Sequence, residues 1–309
     1  MSLSVETIEA LRQQAISYGC GSRIAALDDL HRSDLYTTLV FDRLARKYKT
    51  IQELFAASSE NWNQTFYALL FRTLGGHTNR NPFMSLAQRA TYTMILRERS
   101  SVLSVEALLF GTSGLLEHYP HDSYINDLHN QFDYLSRKYQ ITPIQPSAWR
   151  LQGIKPNNHP LLRIAQAAAF LSKNDFVIEN LLACRNAEDV YRLFGVEAST
   201  YWSTHYIPGD PSGDHPKRIG RFTSNIIGIN TVALLQYTFG SVFDKEQLRS
   251  NALSLLEVLP AEENYCIRRW QGYGLKPRNA FETQALLQLG VEYCAHQRCA
   301  ECPVALKII

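Results

Sequence analysis

Three cysteines stand close together near the end of the sequence, in a spacing that is typical of metal ligands. Cys294, Cys299 and Cys302 form a Cys-x4-Cys-x2-Cys pattern directly after a helix-forming segment. A Cys-x2-Cys turn brings two thiolates toward one ion, and a third thiolate from the preceding helix end adds a ligand. Structural zinc sites and iron–sulfur clusters take four protein ligands, so the fourth has to come from elsewhere in the chain.

The fourth ligand has several candidates, of which we favour Cys20. It lies between two glycines, where the backbone can approach an ion closely. His296 lies inside the cysteine loop at an awkward spacing, and Cys184 and Cys266 are interpreted as small buried hydrophobic residues. The sequence therefore predicts a structural site that links the two ends of the chain and holds zinc, with an iron–sulfur cluster as the alternative. The competing interpretation is three ordinary cysteines at a chain end.

Basic and amide side chains gather in two segments that suit the recognition of phosphate groups. The first covers residues 149–166, and the second follows a Pro/Gly-rich loop over 207–217. Arg and amide side chains bind phosphate oxygens and base edges. The alternatives are a loop held by buried hydrogen bonds and a solvated basic surface. The candidate anion-binding or nucleic-acid-binding residues are Arg150, Lys155, Arg163, Gln166, Lys217, Arg218 and Arg221.

No catalytic constellation is recognisable in the sequence. It has no Gly-rich phosphate loop, no nucleophile elbow and no His-Glu-x-x-His motif. His205 and Glu262 are weak candidates for an independent hydrolase. His205 belongs to an aromatic box with Tyr201, Trp202 and Tyr206, which either stacks bases or forms a packed corner. A non-enzymatic role is therefore favoured, while an enzymatic one stays open.

Helical patterns dominate the elements that have to position these residues. A helix is predicted over 6–16, and Asn61 is a candidate N-cap for a helix over 62–74 that two glycines end. A stretch over 226–239 is apolar on nearly every side, which indicates a buried central helix. Because no convincing run of alternating strands is present, the predicted fold is all-α with a minor hairpin at most.

A proline-rich segment divides the sequence. Four prolines over 142–160 exclude a regular helix, and we interpret this segment as a linker that crosses the surface. The predicted organisation is an N-terminal helical subdomain over 1–141, the linker over 142–160, and a C-terminal helical subdomain over 161–309 with the cysteine cluster.

Composition limits the environment of the chain. A formal net charge of +2 over 309 residues produces no global attraction to nucleic acid, so any anion-binding surface has to be local. No apolar run approaches the roughly 20 residues that span a bilayer. The N-terminus also lacks the pattern of a signal peptide. A cytoplasmic location away from membranes is predicted.

A series of short motifs runs in a consistent order along most of the chain and resembles an uncharacterised family. That family, common in Bacteroidetes, is catalogued as domain of unknown function two-eight-five-one. Lys155 stands where the family has Arg. The matching elements are Arg43 to Lys47, Trp62 with Phe66 and Tyr67, Glu106 to Gly111, Lys155 to Pro160 with Arg163 and Gln166, Tyr201 to Tyr206, Ile229 to Val232, Leu259 to Asn264, and Cys20 with Cys294, Cys299 and Cys302.

The resemblance implies that the chain is the C-terminal portion of a longer protein. The N-terminal portion of such proteins is similar to restriction-endonuclease-like nucleases. We therefore expect a helical module with a structural metal site, accessory to a nuclease-like domain of the same natural chain, that binds DNA or RNA. The alternatives are a structural or protein-interaction module without a nucleic-acid role, and an independent hydrolase.

Overall fold

Helices form nearly all of the regular structure. The computed structural model describes residues 19–119, 122–174 and 177–308, so the predicted helix over 6–16 lies outside the described residues. Within these ranges the only sheet is a short hairpin of β1 (His205–Ile207) and β2 (Asp210–Pro211). The predicted all-α fold is confirmed. None of the described helices is both long and apolar enough to cross a membrane.

The helices are named here in chain order. They are α1 (Gly21–Ala25), α2 (Asp29–Ala57), α3 (Trp62–Leu74), α4 (Arg80–Arg89), α5 (Tyr92–Glu98), α6 (Val102–Ser113), α7 (Ser123–Tyr139), α8 (Pro160–Lys173), α9 (Val177–Ala183), α10 (Ala187–Phe194), α11 (Arg221–Ile227), α12 (Ala233–Val242), α13 (Glu246–Val258), α14 (Tyr265–Gln271), α15 (Ala280–Gln288) and α16 (Pro303–Ile308).

The chain divides into two compact units, each built from segments that are distant in sequence. Unit 1 takes the described residues of Met1–Gln52, Arg185–Ala187 and Gln236–Ile309. Unit 2 takes those of Glu53–Cys184 and Glu188–Leu235. Both predicted boundaries of the proline-rich segment lie inside unit 2.

The core of unit 2 is built around α6, which α7 and α8 both cover. Residues Ser104 to Ser113 of α6 are all buried, because neighbours pack on every side of the helix. Gly111 makes the close approach of α7 possible. A Cβ atom added there would lie 2.0 Å from the ring of Phe132, well inside van der Waals contact.

The proline-rich segment is packed into unit 2 by its buried side chains and its hydrogen bonds. Ile144 and Trp149 are buried. The Ile144 backbone N–H donates to the Thr112 carbonyl at 2.9 Å, and the Trp149 Nε1–H donates to the Ser113 carbonyl at 2.9 Å. Two of its prolines begin short 3-10 turns, Pro146–Ala148 and Pro156–Asn158, and its last residue, Pro160, begins α8. The segment is thus part of the packing within one unit.

Residues next to the helix ends determine where a helix such as α3 begins. The side chain of Asn61 accepts a hydrogen bond from the Gln64 backbone N–H and caps α3, which has the predicted bounds. The predicted central helix over 226–239 is helical throughout and mostly buried, and a π-helical turn over Gly228–Val232 joins α11 to α12 within it. A second π-helical turn, Leu289–Cys294, extends α15 of unit 1 and ends at the first clustered cysteine. Such turns are frequent at functional sites.

Candidate anion pocket and cysteine cluster

Four cysteines of unit 1 come from its two sequence extremes. Cys294 ends the π-helical turn after α15, and Cys299 begins a 3-10 turn in which the Cys302 backbone N–H donates to the Cys299 carbonyl at 3.2 Å. These three side chains are buried, and Cys20, directly before α1, is partly buried. None of the four is part of a disulfide.

The four thiols lie close enough to influence one another electrostatically. Burial raises the pKa of Cys294, and the charges of Cys302, Cys20 and Cys299 raise it further. Burial also raises the pKa of Cys302 to about 11, with Cys20 and Cys299 acting in the same direction. Among the residues that the structure describes, no group of three or more His, Cys, Asp or Glu side chains is arranged so that it could hold a metal ion. The structure therefore places the four predicted ligands in one neighbourhood, where burial favours the protonated form of Cys20, Cys294 and Cys302.

Unit 2 contains a pocket of about 420 Å³, which lies where the end of α3, the proline-rich segment, α8 and α11 meet. This volume falls in the range of small-molecule sites. The described residues that line it include no Asp and no Glu. They are Thr73, Leu74, Gly75, Gly76, His77, Thr78, Asn79, Gly153, Ile154, Lys155, Asn158, Arg163, Phe222, Thr223 and Ile226.

Arg163 of α8 supplies a deeply placed positive charge to this pocket. Its side chain is buried, at 6% exposure. The guanidinium donates to Gln166 Oε1 at 2.9 Å, to Asn158 Oδ1 at 2.7 Å and to Thr223 Oγ1 at 2.8 Å. All three partners are neutral, and the described residues give Arg163 no carboxylate partner. Burial lowers its pKa to about 10, which still leaves the group charged at neutral pH.

Two further predicted residues lie at or beside the pocket. Lys155 is exposed and lines it. Arg150 is exposed, and its backbone is held by Asn79, which lines the pocket: the Arg150 N–H donates to Asn79 Oδ1 and the Asn79 amide donates to the Arg150 carbonyl, both at 2.9 Å. Gln166 is buried behind Arg163 and orients its guanidinium.

The basic residues of the second predicted segment do not line the pocket and have other partners. Lys217 is buried, and its ammonium donates to the Ser203 carbonyl at 2.8 Å and lies 4.3 Å from the centre of the Tyr206 ring. It closes the loop over the hairpin and is not a mobile contact to solvent. Arg218 forms an ion pair with Glu197, and the exposed Arg221 lies 3.6 Å from a Glu188 oxygen. Their carboxylate partners reduce the positive charge that these side chains offer.

The aromatic box forms a packed corner in unit 2. Trp202 is fully buried, stacks on Phe110 at 5.5 Å and donates its Nε1–H to the Tyr124 hydroxyl at 3.0 Å. His205 stacks on Tyr201 at 4.3 Å, with its Nδ1 near the Tyr201 carbonyl. These contacts account for the box as a packed corner, one of the two interpretations that the sequence leaves open.

Glu106, within this corner, carries a buried carboxyl that sequence reasoning did not single out. It is 1% exposed, and burial raises its pKa to about 7, although hydrogen bonds with Ser199 and Tyr124 act in the opposite direction. Glu106 begins one of the family motifs, but its burial is not predicted by the sequence, because it comes from helices that are distant along the chain. Nor does the sequence predict that Thr223 and Phe222 reach the pocket from α11.

Comparisons with known proteins identify a family without a known activity. A family model described as "Protein of unknown function (DUF2851)" matches residues 2–265. The match includes Cys20 and the whole lining of the pocket but ends before Cys294. Neither the curated proteins nor the solved structures contain a match to this chain. The chain belongs to the DUF2851 family, as the order of its motifs predicted.

Proposed function

We propose that this chain is a helical nucleic-acid-binding module whose unit 2 pocket receives a phosphate group at Arg163. The observation that carries the proposal is a buried guanidinium whose hydrogen-bond partners among the described residues are neutral, in a pocket whose described lining includes no acidic residue. Lys155 adds a second cation at the same pocket. A cytoplasmic location is part of the proposal.

A buried guanidinium without an anionic partner carries a free-energy cost. Taking a cation out of water costs several kcal/mol unless an anion accompanies it. A guanidinium cannot escape this cost by losing its proton, because its pKa stays far above neutrality. Phosphate is a suitable anion, since its oxygens match the fork of N–H donors that Arg presents. A bound phosphate would therefore supply the counter-charge that the protein itself does not.

The second part of the proposal is a metal site at Cys20, Cys294, Cys299 and Cys302. Its support is the proximity of four thiols that come from sequence-distant segments and form no disulfide. Thiolate donors suit zinc, and an iron–sulfur cluster is the alternative. Binding would release the thiol protons and require the side chains to rearrange. Four thiolates leave no open coordination position, so the metal would stabilise unit 1 without performing chemistry.

The proposed biological context is an accessory role beside a nuclease-like domain of a longer natural chain. Its support is the resemblance between this family and proteins with such a domain, which is an analogy at the level of the family. A module that holds nucleic acid by its phosphates would position a strand for a neighbouring nuclease. The competing function is a protein-interaction module that binds no nucleic acid.

The nucleic-acid part is tested by fluorescence anisotropy with labelled single-stranded and duplex DNA and RNA over a range of salt concentrations. We expect binding that weakens as salt rises, because phosphate contacts release counterions. Arg163→Met should lower the affinity by about tenfold, the size of one charge-assisted hydrogen bond. Arg278→Met is the matched control, since this exposed arginine of unit 1 is paired with Glu282. Absence of salt-sensitive binding to every probe would contradict the proposal.

The metal part is tested by elemental analysis and absorption spectra of the freshly purified wild type and of Cys20→Ala. About one zinc per chain without visible absorption would support structural zinc. Iron with a broad band near roughly 400 nm would support a cluster. A metal-free wild type would contradict the site, and full metal retention in Cys20→Ala would exclude Cys20 as the fourth ligand.

A further inference from the structure

The unit 2 pocket has a shape that distinguishes the end of a nucleic-acid strand from its middle. Arg163 is buried beneath the pocket surface, at 6% exposure. A phosphodiester inside a strand carries a sugar on both sides, and both would have to enter for its oxygens to reach the guanidinium. A terminal phosphate has one substituent and can enter alone.

The charge of the pocket also favours a terminal phosphate over an internal one. Arg163 and Lys155 supply two cations, and the described lining residues supply no carboxylate. A phosphate monoester carries about −1.5 to −2 charges near neutral pH, whereas a diester carries a single charge. Two cations without an acidic neighbour therefore balance a monoester better than a diester.

An aromatic ring completes the arrangement. Phe222 lines the pocket and is 60% exposed, which is unusual for a large apolar side chain. It directly precedes Thr223, whose hydroxyl accepts the hydrogen bond from Arg163. A nucleotide whose phosphate lies at Arg163 thus has an exposed π face nearby on which its base can stack.

The backbone around the pocket leaves room for such a ligand. Gly76, after the end of α3, has φ +58°, and a Cβ atom built there meets no atom within 4 Å. The loop is therefore open at this point, and a side chain is disfavoured there by the backbone conformation rather than by its neighbours.

We propose that the unit 2 pocket binds the terminal phosphate monoester of a nucleic-acid strand, with the terminal base stacked on Phe222. This inference rests on the proposed function and makes it specific: the pocket recognises strand ends. The same chemistry is present in a free nucleoside monophosphate, which is the other source of such a group.

The test compares short single-stranded DNA probes that differ only at their ends. Eight-nucleotide probes carry a 5′-phosphate, a 3′-phosphate or hydroxyls at both ends, with the fluorophore placed internally. We expect one phosphorylated probe to bind at least about tenfold more tightly than the hydroxyl probe. Lys155→Met and Phe222→Leu alter exposed side chains that do not hold the fold together. Each should weaken binding of the phosphorylated probe, by about threefold and about tenfold respectively.

Competition separates the two sources of the phosphate. A nucleoside monophosphate that competes only weakly, together with inorganic phosphate that competes more weakly still, supports a strand end. A monophosphate that competes as well as the oligonucleotide assigns the pocket to free nucleotides. Equal affinity for phosphorylated and hydroxyl probes, with Arg163→Met still weakening both, overturns end recognition and leaves the proposed function intact. Loss of binding to every probe overturns the proposed function itself.

Discussion

The two units differ in the partners that surround their buried ionisable side chains. In unit 1, Glu262 lies beside the positive charge of Arg43 and accepts a hydrogen bond from Gln284. Glu262 and Glu292 in turn both favour the charged form of Arg43. Among the described residues of unit 2, the hydrogen-bond partners of Arg163 are neutral, and those of the Glu106 carboxyl are the hydroxyls of Ser199 and Tyr124.

This difference shows which group needs an external partner. A buried carboxyl without a cation becomes neutral by binding a proton, and the pKa of Glu106, raised to about 7, is the result. A guanidinium has no such route at neutral pH. Of these two buried groups, Arg163 therefore remains the unbalanced charge, and it borders a pocket.

The largest expected effect concerns the pH dependence of unit 2. The pKa of Glu106 is about 7 when folded against an ordinary 4.5. The folded state therefore binds the proton more tightly, and the stabilisation is complete below about pH 4.5 and is lost as the pH rises through 7. We expect a loss of about 3 kcal/mol in unfolding free energy over this range, which Glu106→Gln removes.

Urea unfolding at several pH values measures this effect. Asp133→Asn, at an exposed position of α7, changes the formal charge equally and serves as the control. A Glu106→Gln variant with the same pH slope as the wild type would show that this carboxyl is not sequestered as described.

A smaller loss of unfolding free energy is expected when a paired cation of unit 1 is removed. Arg43→Met leaves the partly buried Glu262 carboxylate without its neighbouring positive charge. The expected destabilisation is about 2 kcal/mol, between the values for exposed and fully buried pairs. Chemical denaturation checks it against Arg298→Met, which removes an exposed pair with Glu301 and should cost under about 1 kcal/mol. Equal effects of the two variants would remove the distinction between these sites.

Arg163→Met should destabilise the protein less than Arg43→Met, although Arg163 is the more deeply buried residue. The variant removes an uncompensated charge and leaves no carboxylate behind. Its cost is the loss of a partner for the buried Gln166 oxygen, about 1 kcal/mol. The same denaturation experiment measures it. A loss larger than that of Arg43→Met would indicate that Arg163 mainly supports the fold.

The smallest expected effect is on the salt dependence of binding. Lys155→Met removes an exposed cation at the pocket, so the slope of log affinity against log salt should become shallower by about 0.7 with single-stranded DNA. Arg218→Met is the control, because its guanidinium is already paired with Glu197. Anisotropy titrations compare the variants, and an unchanged slope for Lys155→Met would exclude a phosphate contact at this residue.

Local patterns in the sequence predicted the elements but only part of the site. The Asn61 cap and the glycines after Leu74 correctly gave the bounds of α3, because helix ends are decided by neighbouring residues. Arg163 and Gln166 are three residues apart on a helix, and this spacing is enough to predict that their side chains can meet. These predictions depend on short-range geometry.

Tertiary contacts account for what could not be predicted. Thr223 reaches Arg163 from 60 positions along the chain, and no periodicity indicates such a pairing. Lys217 was a candidate anion-binding residue after a Pro/Gly-rich loop, whereas its ammonium donates to the carbonyl of Ser203 and closes that loop. The proline content excluded helix over 142–160 correctly, but not the burial of Trp149 that packs this segment into unit 2.

The central claim is that the unbalanced guanidinium of Arg163 receives a phosphate while the compensated arginines of unit 1 do not. The most direct measurement is the NMR signal of the Arg163 Nε–H group, assigned by its loss in Arg163→Lys, during titration with a phosphorylated oligonucleotide. We predict a saturable shift of this signal and none for Arg46, which is paired with Glu292. An Arg163 signal that stays in place while the protein is saturated with oligonucleotide would contradict the account.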